Sequence, residues 1–139
     1  MISDFVGCKA AFFCGSEVLT YLRDEKPGLP WPALWDLPGG GREEDESPET
    51  CLLRELHEEF GLTLPPDRLL WHRSFPAMTD ASRSSYFFAG RISADDIAAI
   101  GFGDEGQYWQ MMDRATFCAH PQGIPTLQDL AAEAWAALT

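Results

Sequence analysis

Residues 39–62 read GGGREEDESPETCLLRELHEEFGL and carry eight carboxylates: Glu43, Glu44, Asp45, Glu46, Glu49, Glu55, Glu58 and Glu59. Oxygen donors packed this densely suit one chemistry above others, the binding of a hard divalent cation. Without a cation the charge is a burden, because each like-charged i,i+4 pair costs a helix roughly 0.2–0.5 kcal/mol. Glu55, Glu58 and Glu59 stand at i, i+3 and i+4, which puts them on neighbouring turns of one helix edge. Counting about 100° per residue from Cys51, Leu52, Leu53, Leu56 and Phe60 fall between about 100° and 200°, and Glu58, Glu55 and Glu59 fall at about 340°, 40° and 80°. The helix therefore has an apolar wall for the core and a separate carboxylate edge, offset on that edge by Arg54 alone. Three carboxylates converging from one side form a site suited to Mg²⁺ or Mn²⁺. A charged edge on a surface helix is ordinarily just solvated. Here the preceding LPGGGREEDE adds more acid, and glycines that let the backbone approach a ligand.

The helix that presents these groups is punctuated at both ends. Ser47 is placed to cap it, Pro48 to occupy its first position, Glu49 to favour the first turn and Gly61 to end it. Ahead of it, FVGCKAAFFC (5–14) and EVLTYL (17–22) read as strands joined by a Gly-Ser turn. RDEKPGLPWPALWD (23–36) holds three prolines and a glycine and reads as a loop. Behind it, RLLWHRSF (68–75), SSYFFAGRI (84–92) and GQYWQMM (106–112) read as strands, and SADDIAAIG (93–101) as a short helix. TLQDLAAEAWAAL (126–138) is a helix with an apolar stripe at Leu127, Leu130, Ala131, Ala134, Trp135 and Leu138. No repeat or linker divides the chain, so residues 1–139 are expected to form a single α/β domain with helices packed on sheet faces.

Composition narrows the partners. The formal net charge is −12 with only 10 basic residues and no basic run, which argues against a polymeric nucleic acid, whose binding needs clustered Lys and Arg. A small phosphate substrate stays open if metal ions mask the acid. No apolar run approaches the roughly 18 residues of a membrane span, and MISDFVGCKAAFFCG lacks the charged start and cleavage site of a signal peptide. Cys8, Cys14, Cys51 and Cys118 form no C-x-x-C pair and read as reduced thiols of a cytoplasmic protein, Cys51 and Cys118 as small core residues. His57, His72 and His120 lack zinc-ligand spacing.

The spacing Gly40, five residues, Glu46, seven residues, then Arg54-Glu55-Leu56-x-Glu58-Glu59-x-Gly61-Leu62 resembles the Nudix box at every defined position, and WDLPGG ahead of it resembles the family's common lead-in. Nine fixed or class-restricted positions make this far more specific than a lone glycine motif. The resemblance implies a Nudix-type α/β/α sandwich with a mixed central sheet, hydrolysing a nucleoside diphosphate linked to a further moiety with Mg²⁺ or Mn²⁺ as cofactor. It implies Glu55, Glu58 and Glu59 as metal ligands, with the Gly39 carbonyl as a further one. Arg54 would orient the glutamates by charge-assisted hydrogen bonds and Glu46 would pair with Arg54. Gly40 would allow the loop-to-helix turn and Gly61 would end the helix. Homodimers are common in the family, and this chain carries no dimer signal of its own.

The box does not settle the general base. Glu55 is one candidate. The other is Glu105 in GFGDEGQYW, which would join the metal shell when substrate binds. A strong metal ligand is a poor proton acceptor, and Glu105 lies between Gly103 and Gly106 on a loop able to close over substrate, so Glu105 is favoured. Among substrate contacts, Arg23 would meet phosphate or base, Trp31 would stack on a base and Arg42 would meet phosphate. The chain has no asparagine, so reading an oxidised guanine through an Asn amide is not available, and Gln107 and Gln110 are the nearby amides. A nucleotide-sensing module without turnover would usually lose box glutamates, and none is lost here. A plain acidic interaction domain is the remaining alternative.

Overall fold

The computed structural model describes residues 4–139. Met1–Ser3, where the signal-peptide reading begins, lie outside the described residues. The first two strands, β1 (Phe5–Cys14) and β2 (Glu17–Leu22), form a hairpin paired only at Phe13↔Val18 and Cys14↔Glu17. Beyond that they splay, and the segment from Trp35 to Gly41 fills the gap. Its first part, β3 (Trp35–Asp36), pairs with β2, and its second, β4 (Gly39–Gly41), pairs with β1. This wedge places the glycine-rich loop in the middle of the sheet. Gly39 has φ +136°, and a Cβ there would strike the Cys8 carbonyl, so only glycine fits this close strand approach.

On the far side β1 pairs in parallel with β6 (Ser84–Arg91), which carries β5 (Leu69–Pro76) antiparallel at its edge. β7 (Tyr108–Asp113) covers the other edge of β2, giving a mixed sheet of seven strands. β1 is apolar along most of its length because both of its faces are covered. Ala11 and Phe13 face one core with Phe75, Phe87 and α4 (Pro125–Leu138). Cys8, Ala10 and Phe12 face the other with α1 (Pro48–Phe60). The result is a three-layer α/β/α sandwich.

α1 is capped as its residues dictate. Ser47 Oγ accepts from the Thr50 amide at 3.2 Å, and Gly61 adopts φ +66°, its amide donating to His57 O at 2.9 Å. In α2 (Ala94–Ala98), Ser93 and Asp96 make a reciprocal capping box. Several boundaries move relative to the sequence reading. β3 emerges from the proline-rich 23–36 loop because β2 supplies its partner. A 3-10 turn at Pro66–Arg68 takes the predicted start of β5. β7 starts two residues late because Gly106 sits at φ +95° in a turn. The short helix α3 (Arg114–Ala119), capped by Asp113, was not anticipated, since six residues show no periodicity of their own. Cys51 is fully buried and Cys118 only partly so, and all four thiols are free. No helix among the described residues is long and apolar enough to cross a membrane.

Candidate active site

The carboxylate edge of α1 lies along the wall between core and solvent, so its three glutamates meet three environments. Glu59, nearest the apolar wall, is 7% exposed. Its Oε1 accepts the Gly39 amide at 2.9 Å. Burial pushes its pKa up to about 8, against the pull of Lys9 and of that amide. Glu55 is half-buried, and burial raises it as well, opposed by Arg54. Glu58 stands in solvent, its side chain 52% exposed. Gly40 lies directly over Glu55, so closely that a Cβ there would come within 2.5 Å of the Glu55 carboxyl carbon.

Arg54 binds this edge together. Its Nε and Nη2 form a two-pronged pair with Glu46 at 2.7 and 3.0 Å, and Nη2 also reaches Gly41 O at 2.8 Å. Its Nη1 donates to Glu55 at 3.0 Å and Glu58 at 2.8 Å. The Arg54 hydrogen bond holds Glu46 below the usual carboxylate range. With Arg54 drawn between two glutamates and Glu59 turned to Gly39, no three ligand-type side chains among the described residues converge tightly enough to hold an ion as they stand. The chemistry of the donors nevertheless fits a hard divalent cation. They are carboxylate oxygens, and the most buried of them, Glu59, forms no ion pair with a Lys or Arg among the described residues.

Across from α1 stands the 101–107 loop. Gly101 N donates to Phe60 O at 2.9 Å and Gly103 N to Glu59 O at 2.8 Å, which moors one end to the last turn of α1. Gly106 N reaches Asp24 Oδ2 at 3.2 Å and moors the other. Glu105 stands exposed between these anchors. It borders two adjoining pockets. One is an acidic cleft of about 380 Å³ lined by Glu43, Glu55, Glu58, Glu59 and Asp104. The other, of about 270 Å³, is lined by Tyr21, Arg23, Lys26 and Leu29.

The structure thus brings Glu55, Glu58, Glu59 and Glu105 to one cleft and Arg23 to its neighbour. Two expected contacts lie elsewhere. Trp31, at φ +55°, packs on the core beneath α4 and borders neither pocket. Arg42 lies over the Phe5 ring at 4.4 Å, with Nε bonded to Glu46 O at 3.1 Å. Gly39 turns its amide to Glu59, and its carbonyl accepts from Lys9 Nζ at 3.4 Å.

Lys9, Tyr21 and Asp36 escaped the sequence reading. Asp36 is 1% exposed and gathers Lys9, Tyr21 and Arg23 around its carboxylate. The signal was present: Lys9 is a lone charge inside an apolar strand, and a buried charge requires a partner.

The three-layer sandwich thus carries a carboxylate edge on α1 that faces the acidic 101–107 loop across one cleft. The sequence matches the NUDIX domain over residues 11–131, and the chain belongs to the Nudix family. An RNA pyrophosphohydrolase of Haemophilus ducreyi is 54% identical over 37 residues, 27% of this chain and 19% of that protein. An 8-oxo-dGTP diphosphatase of Proteus vulgaris is 50% identical over 37 residues, 27% of this chain and 33% of that protein. The matched stretch therefore spans a third or less of either relative. Among solved structures, a C. elegans Ap4A hydrolase complex aligns with TM-score 0.72 and 18% identity over 95% of this chain and 97% of that one. A MutT protein from Methanosarcina mazei Go1 aligns with TM-score 0.71 and 19% identity over 96% and 94%. At these identities the structures show a shared fold.

Proposed function

We propose that this chain hydrolyses the pyrophosphate linkage of a nucleoside diphosphate derivative with the help of Mg²⁺ or Mn²⁺. The observation that carries the reading is Glu59. A carboxylate this buried, beside Glu55 and opening on an acidic cleft, costs stability unless a cation comes to it. Glu55, Glu58 and Glu59 would hold the ion, with the Gly39 carbonyl beside them. Bound there, the ion would neutralise the diphosphate and lower the pKa of water.

The chain's own groups supply the rest. Arg54 keeps Glu55 and Glu58 oriented and, through Glu46, holds the loop that carries Gly40. Arg23, on the adjoining pocket, meets the substrate's phosphate. Glu105 stands between the two pockets, where it can take the proton of the attacking water. The names of the relatives, an RNA pyrophosphohydrolase, an 8-oxo-dGTP diphosphatase and an Ap4A hydrolase, agree with pyrophosphate chemistry on nucleotides.

The test is colorimetric phosphate release with Mg²⁺ across nucleoside triphosphates, dinucleoside polyphosphates, nucleotide sugars, ADP-ribose and a 5′-triphosphorylated RNA, with coupled inorganic pyrophosphatase where pyrophosphate leaves and a coupled phosphatase where the products are monoesters. Turnover that a chelator abolishes is expected. Binding of a panel member without turnover would indicate a sensing module.

A further inference from the structure

We propose that Asp36 is a positioning residue that ties the substrate pocket to the loop behind the glutamates. The inference rests on the hydrolytic reading above for what the two sides do, and on contacts alone for how they are joined.

The Asp36 carboxylate accepts from four donors. Lys9 Nζ on β1 lies at 3.0 Å, Tyr21 Oη on β2 at 2.9 Å, Arg23 Nη1 beyond β2 at 2.9 Å and the Leu37 amide at 2.7 Å. That uses the acceptor capacity of both oxygens. Two cations share this one buried anion, so the cluster keeps a positive charge where screening is weak.

From Asp36 two arms extend. One is Arg23. With Nη1 on Asp36 and Nε on Pro30 O at 3.0 Å, its guanidinium is held in one orientation against the pocket that Tyr21, Lys26 and Glu105 share. A side chain already ordered loses less entropy when it binds phosphate. The other arm is Lys9, whose ammonium also donates to Leu37 O at 3.1 Å and Gly39 O at 3.4 Å. The Gly39 amide in turn donates to Glu59 at 2.9 Å. Asp36 thus acts on Glu59 through Lys9 and Gly39, and on the substrate through Arg23.

The experiment compares Asp36→Asn, Arg23→Gln and Lys9→Met, with Mn²⁺ titrated calorimetrically into each chain and KM and kcat measured on the panel member the wild type turns over. Arg23→Gln is expected to raise KM about tenfold with Mn²⁺ affinity unchanged, and Lys9→Met to shift Mn²⁺ affinity at least about fivefold with KM nearly unchanged. Asp36→Asn is expected to do both, a split that general destabilisation would not give. A folded Asp36→Asn chain with KM and Mn²⁺ affinity both within about twofold of wild type would overturn the proposal. If Asp36→Asn does not fold, Asp36→Glu decides: it keeps the charge but displaces the carboxylate from Lys9 and Arg23, and a folded Asp36→Glu chain with KM and Mn²⁺ affinity both within about twofold of wild type would overturn the proposal. A wild type that turns over nothing ends the hydrolytic reading and leaves the Mn²⁺ arm to judge Asp36. A wild type that binds no Mn²⁺ overturns both.

Discussion

Glu59 departs furthest from an ordinary solvated glutamate, and its environment makes the metal-free protein sensitive to pH. Its pKa is about 8 when folded against 4.5 as the usual value, so between these limits the folded chain holds a proton that the unfolded chain releases. The stability this group contributes is complete below about pH 4.5 and is lost as pH rises through about 8. In chelator, the melting temperature should fall between about pH 4.5 and pH 8, and Glu59→Gln should flatten that fall. An identical slope in both chains would show that Glu59 is not the group responsible. With metal and substrate present, Glu58→Gln or Glu59→Gln should lower kcat by about 100-fold or more while leaving the fold intact. Near-wild-type turnover would remove either from the ligand set. Glu105→Gln should lose the acidic limb of the kcat profile and at least about tenfold in rate at saturating metal. If it keeps that limb, Glu55→Gln should be the variant that loses it.

At the scale of elements, the site depends on how α1 meets the β4 loop. Gly40 lies outside the positive-φ region, so its need for glycine comes from the Glu55 carboxylate above it. Gly40→Ala should cost about 1–3 kcal/mol by overpacking. Turnover should fall by about 100-fold, since a shift of about 1 Å in a positioned group has that effect. Gly39→Ala is a different lesion, because its Cβ would meet backbone at φ +136°, and it should compromise folding outright. Ser47→Ala removes the cap on Thr50 and should cost about 1 kcal/mol in denaturant melts with kcat unchanged, because the cap lies two turns from Glu55. Loss of kcat in Ser47→Ala with no loss of stability would contradict that division.

At the scale of the whole molecule, a net charge of −12 is a standing self-repulsion that a bound divalent cation relieves locally. Millimolar Mg²⁺ or Mn²⁺ should therefore raise the melting temperature by the linkage relation, and monovalent salt at equal ionic strength should raise it less. Equal effects of the two salts would indicate screening without a site.

Much of this architecture was legible because its signals are local. Ser47, Pro48 and Gly61 delimit α1 through bonds made within a few residues, and the i, i+3, i+4 spacing puts the glutamates on one edge of any helix built from them. The same is true of the Arg54–Glu46 pairing once the motif is recognised, because only the cap and the first turns of α1 lie between them. Less was visible where the cause is distant in sequence. β3 exists only because β2 offers it a partner, and α3 is too short to show a period. Trp31 and Arg42 have side chains suited to a nucleotide, yet the core and the Phe5 ring receive them. The sequence by itself determined the family, the α/β class and the placing of Glu55, Glu58 and Glu59 on one helix edge, since each follows from residue types at fixed short spacings. Only the tertiary structure decided that Glu59 is buried and Glu58 exposed, that Lys9 and Arg23 meet on Asp36, and that Glu105 borders both pockets. Burial and ion pairing depend on which strands and loops are brought together in space, and no spacing along the chain encodes that distance.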